Sequence, residues 1–316
     1  MNLLKSEIIN PLLRLIYNVW DSFDRSFRKH ILGRIRYSGL ASLSVDEVQF
    51  KMYSKYDDGI VDALYFNNDS YSEITEIKLF KELAKQSEVI LDIGANTGLY
   101  SIISRKINSN AKIYAFEPYV VNSNRLKKNI QLNNLDEIVI IEKAVGNQVG
   151  EIEFSVPDQD QICDVLSADI QFSNKFYRKW INYKTVKVPQ TTLDQFLFEE
   201  NLNSLDLIKI DVENYESFVL KGALEVLNKY SPIILIEIFV DQDKIRFFEN
   251  YLQPLGYNCY SILKEGIIRT ESLKGNPDCR NFILSKVRTQ QEYLSFSRMN
   301  ELIKQLKLLP TKPKLH

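Results

Sequence analysis

From residue 71 onward the apolar positions alternate between two periods. Residues 71–86 (YSEITEIKLFKELAKQ) space them for an amphipathic helix. Short apolar runs then follow at 88–93 (EVILDI), 112–117 (KIYAFE), 138–143 (IVIIEK), 206–211 (DLIKID) and 233–238 (IILIEI). Helical stretches are predicted at 99–107, 120–133, 215–230 and 241–254. Short runs apolar on both faces and separated by helices predict a parallel sheet covered on both sides, an α/β fold. Two more strands, near 257–263 and 281–286, follow without a full helix between them and predict an antiparallel hairpin at one sheet edge.

Two stretches depart from this rhythm. Residues 147–205 are too long for a plain crossover and hold strand signals at 151–156 (EIEFSV) and 185–190 (TVKVPQ), then a helix at 192–201. Between these strands, 157–183 is polar with Phe172, Phe176, Tyr177, Trp180 and Tyr183, the composition of a lid or substrate wall beside the sheet. At the other departure, residues 3–20 place Leu4, Ile8, Leu12, Leu15, Ile16, Val19 and Trp20 at helical spacing around Pro11. This segment reads as a helical arm that packs on the core or on a second subunit, or as a basic amphipathic segment on an anionic membrane. The predicted organisation is a helical or irregular extension at 1–70, a core domain at 71–286 with its insertion at 147–205, and a basic C-terminal helix and tail at 287–316.

Charge modifies this picture little. Forty basic residues balance 41 acidic ones in a 316-residue chain, so no global field points to nucleic acid. Residues 1–45 carry seven basic groups against three acidic, and residues 288–316 six against two, which leaves an acidic body between basic ends. Cys163, Cys259 and Cys279 form no close pair, so a disulfide framework or CxxC site is excluded and a reducing, cytoplasmic setting is expected. The two histidines, His30 and His316, lie in the end segments, which argues against a histidine-built zinc cluster or a Ser-His-Asp triad in the core.

The chemistry begins at the end of the first core strand, Asp92-Ile93-Gly94-Ala95-Asn96-Thr97-Gly98, before a helix starting at Leu99. Gly94 permits the turn off the strand, and Gly98 lets backbone approach a ligand at the helix start. Ala95 and Asn96 stand where a dinucleotide fingerprint needs its second glycine, and the Gly-Lys-Ser/Thr of a Walker loop is absent. The loop therefore suits a ligand without pyrophosphate, with Asp92 placed to face an ammonium. The second strand ends Phe116-Glu117-Pro118, and Glu117 stands 25 positions after Asp92. A carboxylate at that tip can accept hydrogen bonds from both ribose hydroxyls. An adenosine carrying an amino-acid tail instead of phosphates is S-adenosylmethionine. The third strand leads into Ala144-Val145-Gly146, small apolar residues suited to a flat base, although Gly146 also fits a simple turn. The fourth ends Lys209-Ile210-Asp211-Val212-Glu213-Asn214-Tyr215-Glu216, with Asp211 at the topological switch point where ligands of such sheets bind. Glu213 and Glu216 also fit the first turn of a helix. Glu237, inside the apolar fifth strand, is costly to bury unpaired and is expected to face the cleft.

The ordered run VILDIGANTGLYS, AFEP, KAVG, TTLDQF, LIKIDVENYESFVLKGA, IILIEI and NFIL resembles the FkbM family of S-adenosylmethionine-dependent methyltransferases over residues 73–286. The resemblance implies a seven-stranded class I methyltransferase sheet and O-methylation of hydroxyls on sugars, polyketides or other secondary metabolites. It also implies that Asp92, Gly94, Asn96 and Gly98, with Ala95 between them, hold the methionine end. Glu117 and Pro118 then lie at the ribose, Ala144 and Val145 at the adenine edge, and Asp211, Glu213 and Glu237 on the acceptor side. One departure is Asn214 where the family pattern has glycine; Asn tolerates a left-handed backbone, so the turn survives.

Methyl transfer from a sulfonium is an in-line displacement, and a hydroxyl acceptor benefits from a base. With no histidine in the core the base is a carboxylate, Asp211 first, with Glu237 or Glu213 orienting. Three carboxylates also suit a divalent ion such as Mg²⁺, although no metal-ligand spacing demands one. The expected partner is a small-molecule or glycan acceptor, with no nucleic acid; a homodimer and peripheral membrane contact through the basic N-terminal segment remain open. A macromolecular substrate (RNA or protein) and a non-catalytic scaffold are the alternatives.

Overall fold

The structure is a computed structural model that describes residues 36–66, 73–158, 182–264, 266–273, 280–287 and 293–295. The expected arm at 3–20, the aromatics Phe172, Phe176, Tyr177 and Trp180, and most of the expected C-terminal helix lie outside these residues.

The first elements are β1 (Ser38–Val45), β2 (Val48–Lys55), α1 (Gly59–Phe66) and α2 (Ile74–Ala84). The first βα repeats follow as β3 (Val89–Ile93), α3 (Leu99–Ile107), β4 (Lys112–Phe116), α4 (Val120–Leu132) and β5 (Ile138–Ile141). β6 (Ala144–Val145) precedes the insertion, which holds β7 (Gly150–Pro157), β8 (Tyr183–Thr191) and α5 (Leu193–Glu199). The repeats resume with β9 (Leu207–Ile210), α6 (Glu216–Lys221), α7 (Leu224–Tyr230), β10 (Ile233–Glu237) and α8 (Gln242–Phe247), which runs into a π-helical turn at Phe248–Leu252. The chain closes with β11 (Asn258–Ile262), β12 (Gly266–Thr270), β13 (Asn281–Ser285) and β14 (Tyr293–Ser295).

Nine strands form the main sheet in the order β14-β12-β11-β13-β10-β9-β3-β4-β5. The five strands from β10 to β5 pair in parallel, and β13 inserts antiparallel between β10 and β11. Seven strands were expected; β12 and β14 extend that set at the β11 edge. The two expected strands, β11 and β13, do pair antiparallel, but they form neither a direct hairpin nor the sheet edge, because β12 lies between them in sequence and β12 and β14 lie outside β11 in the sheet. Residues Tyr293–Ser295 are a strand where a C-terminal helix was expected.

Apolar residues of the central strands, among them Ile90, Leu91, Ile93, Ile208, Ile210, Ile234 and Ile236, are 0–1% exposed and pack against helices on both faces. Each such side chain contributes about 1.5–3 kcal/mol by leaving water. The predicted helix at 215–230 is two helices. A Cβ on Gly222 would lie 1.9 Å from the Gly146 carbonyl oxygen, and Asp194 accepts from Val226 N–H at 2.9 Å to start the second helix.

Residues 38–66, expected to be helical or irregular, form an antiparallel hairpin and a helix. The alternation is regular: Ala41, Leu43 and Val45 on β1 and Val48, Phe50 and Met52 on β2 point inward, and Asp46 opens the two-residue turn with a left-handed φ of 48°. A polar stripe along α4 docks this unit. Asn133 Oδ1 accepts from Lys51 N–H at 2.8 Å, and Asn129 Oδ1 accepts from Tyr53 N–H at 2.8 Å. Arg125 pairs with both oxygens of Asp57 at 3.1 Å and donates to the Tyr53 carbonyl at 3.0 Å.

Candidate active site

A cavity of about 370 Å³ opens at the carboxyl ends of β3, β4 and β9. It exists there because the loop after β3 turns sharply away from the sheet. Gly94 N–H and Ala95 N–H both donate to the Phe116 carbonyl, at 3.0 and 2.9 Å, which ties the loop to the end of β4. Gly94 adopts φ 81°, and a Cβ there would lie 1.9 Å from the Asp211 carbonyl oxygen. Glycine is required at this crossing of β3 and β9.

Of the residues expected to bind the donor, Asp92, Gly94, Ala95, Asn96, Glu117, Pro118, Ala144 and Val145 line the cavity. Gly98 does not. It adopts φ 99° at the start of α3, and a Cβ there would lie 2.1 Å from Leu126 Cδ1, so its glycine serves the packing of α3 against α4. Ala144 and Val145 belong to a separate three-stranded sheet, where they pair with Gln190 and Thr191 of β8.

Asp92 is 1% exposed, and its Oδ2 accepts from Ser101 N–H at 3.0 Å and Ser101 Oγ at 2.6 Å. Burial pushes its carboxyl up to about 6, against the pull of Ser101 and Lys209. Glu117 is 4% exposed; Oε2 accepts from Asn96 N–H and Oε1 from Tyr119 N–H, each at 2.9 Å. Burial pushes this carboxyl up to about 7, although the two backbone donors and Asn122 oppose the shift. These bonds hold Glu117 in one orientation at the tip of β4.

Across the cavity lie Asp211, Glu213 and Glu237, together with Glu73, Lys209, Tyr100 and Tyr215. Lys209 is the centre of this group. Its side chain is 1% exposed, with Nζ 3.2 Å from Glu76 Oε1 and 3.3 Å from Asp211 Oδ2. Tyr100 places its ring 5.0 Å from the Lys209 ammonium and donates its hydroxyl to Glu76 Oε1 at 3.0 Å. Burial works to lower the Lys209 pKa, yet Asp211, Glu76 and Glu237 outweigh it and raise it. Glu213 rises to about 8 and Glu237 to about 9, in each case through burial first and the neighbouring Asp211 next. At neutral pH the pair therefore leans toward the protonated, hydrogen-bond-donating form, with Asp211 on the Lys209 side.

The turn after β9 carries two successive left-handed residues, Glu213 at φ 51° and Asn214 at φ 76°. The asparagine thus takes the conformation a glycine would, and its Oδ1 also accepts from Lys244 Nζ at 2.5 Å. Glu216 sits in the first turn of α6, outside the cavity lining, and accepts from Asn214 N–H at 2.8 Å. Among the described residues no three Asp, Glu, His or Cys side chains are arranged to share a metal ion.

Sequence reasoning gave no role to Asp57, Asp58, Glu73, Glu76 or Lys209. Lys209 carried a readable signal, the one used for Glu237: a charge inside an apolar strand. Asp57 and Asp58 precede a helix, and an Asp there reads as a cap; nothing local reveals that the cap borders a cavity.

The fold is thus α/β around a mixed sheet, with β13 antiparallel inside its edge and a cavity over the carboxyl ends of β3, β4 and β9. The model of the methyltransferase FkbM domain matches residues 92–259, more than half of the chain, and the protein belongs to that family. It is 30% identical over 152 residues to the 2-O-methyltransferase NoeI of Sinorhizobium fredii, covering 46% of this chain and 62% of that one. It is 22% identical over 254 residues to the hexuronic acid methyltransferase AglP of Haloferax volcanii, covering 80% of this chain and 91% of that one. The chain thus spans about three fifths of the length of the first curated relatives it matches. The crystal structure of an FkbM methyltransferase from Methylobacillus flagellatus aligns at a TM-score of 0.42 and 15% identity, covering 72% of this chain and 55% of that one. No described helix is long and apolar enough to cross a membrane.

Proposed function

We propose that the protein transfers a methyl group from S-adenosylmethionine to a hydroxyl of a sugar, glycan or secondary metabolite. The observation that carries this reading is one cavity with two unlike ends. Glu117 and the Gly94–Asn96 loop form a rigid hydrogen-bonding end, and Asp211, Glu213 and Glu237 gather around Lys209 at the other. Family membership, one relative named as a 2-O-methyltransferase and one named as a hexuronic acid methyltransferase support the same reading.

The bound donor supplies an electrophilic methyl on a good leaving group, a thioether. The protein's own part is alignment and proton transfer. In this reading Glu117 accepts from the ribose hydroxyls, and Ala144 and Val145 flank the base. Asp211, whose side chain is 31% exposed beside the cavity, accepts the acceptor's hydroxyl proton as the new C–O bond forms. Lys209 holds Asp211 in place. Protonated Glu213 and Glu237 donate to neighbouring hydroxyls of a polyol acceptor, which matches a sugar better than an isolated alcohol.

Isothermal titration with S-adenosylmethionine and S-adenosylhomocysteine tests the donor half. Micromolar binding that Glu117→Ala weakens by about tenfold, near 1.4 kcal/mol, supports it; absence of binding refutes it. Tritium transfer from the labelled donor to a panel of oligosaccharides, lost in Asp211→Asn, tests the acceptor half.

A further inference from the structure

Most of the carboxylates around the donor end of the cavity have their oxygens engaged by the protein. Asp92 gives Oδ2 to Ser101, and Glu117 gives both oxygens to backbone donors. Asp57 takes both nitrogens of Arg125 and also Lys55 N–H at 2.8 Å. Asp58 differs. It is 4% exposed and lines the cavity, and its Oδ1 accepts from Ile60 N–H at 3.0 Å and Val61 N–H at 3.1 Å as the cap of α1. Its Oδ2 is buried with no partner in hydrogen-bonding geometry. The Thr97 hydroxyl, whose pull on Asp58 only partly offsets burial, is itself buried without a well-formed bond. An anionic oxygen that is fixed, desolvated and short of a donor is costly, and a ligand cation placed against it removes the cost.

We propose that Asp58 receives the α-ammonium of the methyl donor's amino-acid end, so that the hairpin and helix before the family-matched residues complete the donor site. The inference rests on the donor reading above. Thr97 belongs to the loop after β3, where the amino-acid end lies in that reading, and Asp58 meets that loop from the opposite wall. Of the two cavity-lining lysines, Lys143 belongs to the β5–β6 connection, and Lys209 to β9, where it is paired with Glu76 and Asp211 and also acts on Asp92. Asp57 and Asp58 give the hairpin side of the cavity an acidic character that Arg125, held on Asp57 and Tyr53, balances only in part. Such a wall selects an ammonium over a carboxylate. Asn129 makes the wall and the loop one unit, since its Oδ1 accepts from Tyr53 N–H and its Nδ2 donates to the Thr97 carbonyl at 2.9 Å.

The test compares two ligands on two proteins by isothermal titration. S-adenosylhomocysteine carries the amino acid; 5′-methylthioadenosine has the same nucleoside and thioether without it. Asp58→Asn keeps a good helix cap while removing the charge. Asp58→Asn is expected to weaken S-adenosylhomocysteine binding by about tenfold and to leave 5′-methylthioadenosine binding within about twofold of the wild type. Unchanged S-adenosylhomocysteine affinity in the variant overturns the proposal. Equal loss for both ligands also overturns it, because Asp58 then acts through the fold. Wild-type protein that binds neither ligand refutes the donor reading itself, a result distinct from the other two.

Discussion

Lys209→Met is the sharpest perturbation of the acceptor side. The substitution keeps an unbranched side chain of similar length in a 1%-exposed position and removes the ammonium 3.2 Å from Glu76 and 3.3 Å from Asp211. The charged and aromatic groups that act on that position are Glu76, Asp211, Glu237, Glu213, Asp92 and Tyr100. Glu76, Glu213 and Glu237 already have raised pKa values in the folded protein, the last two at about 8 and 9. A carboxyl with a raised folded pKa contributes stability that is complete below its unfolded value and is lost as pH rises through the folded value. Glu213 and Glu237 are already largely protonated over this range and add little; Glu76, which loses the ammonium 3.2 Å away, is raised further, so the variant's deficit must grow with pH. Holding one carboxyl protonated costs about 1.4 kcal/mol near pH 5.5 and about 5 kcal/mol near pH 8. The second figure meets the roughly 3–5 kcal/mol for breaking a buried ion pair. Urea unfolding of wild type and Lys209→Met at both pH values measures the difference. The expected deficit is about 1–2 kcal/mol near pH 5.5 and about 4 kcal/mol near pH 8. Equal deficits at the two pH values refute the electrostatic account and leave Lys209 a packing role alone.

Other consequences follow from the same geometry. Gly94→Ala places a Cβ 1.9 Å from the Asp211 carbonyl oxygen at φ 81°; it is expected to cost about 3 kcal/mol or more, read by thermal unfolding. The Glu117 carboxyl, facing Asn96 N–H, Tyr119 N–H, Asn122 and Asp92, sits at about 7 and binds ribose best when ionised. S-adenosylhomocysteine affinity should therefore rise about tenfold from near pH 6 to near pH 8, and Glu117→Gln should flatten the profile to the roughly twofold rise that Asp58, at about 6, still gives. Asn129→Ala strips partners from Tyr53 N–H and the Thr97 carbonyl; it is expected to cost about 2 kcal/mol and to speed hydrogen exchange of the Tyr53 amide. Asn214→Gly relieves a left-handed φ of 76° and loses one bond from Lys244, which keeps Phe239 and Asp241; denaturant unfolding should show a change within about 1 kcal/mol.

What the sequence reveals depends on how local the cause is. The five parallel strands and the glycine loop are legible because each is dictated within a few residues, by two-sided apolar runs and by a turn that demands φ above zero. The β1–β2 hairpin was equally local: Ala41, Leu43 and Val45 alternate with polar positions, as do Val48, Phe50 and Met52, across the Asp46-Glu47 turn. The break of the 215–230 helix is not local. It depends on Gly222 lying against Gly146, a contact between residues 76 positions apart that no helical period encodes.

The site divides in the same way. Glu117 and Asp211 stand at strand ends, where topology alone delivers a side chain to a ligand. Asp58 and Glu76 reach the site only because helices carry them there. Those two helices are supported separately. The stripe Asn122, Arg125, Asn129 and Asn133 on α4 fixes Glu117, the hairpin and the Thr97 loop, and through them the donor end. Lys209 and Tyr100 fix α2 through Glu76, and with it the acceptor end. Strands β3 and β9 join the two supports by pairing Asp92 with Lys209 in register. The donor end is thus braced by neutral amides and one arginine, while the acceptor end is braced by a charge that its own carboxylates share. At the donor end Glu117 titrates within a bracing whose charge is fixed, whereas at the acceptor end Lys209 and the titrating carboxylates are one network, so a change of pH there alters the support itself.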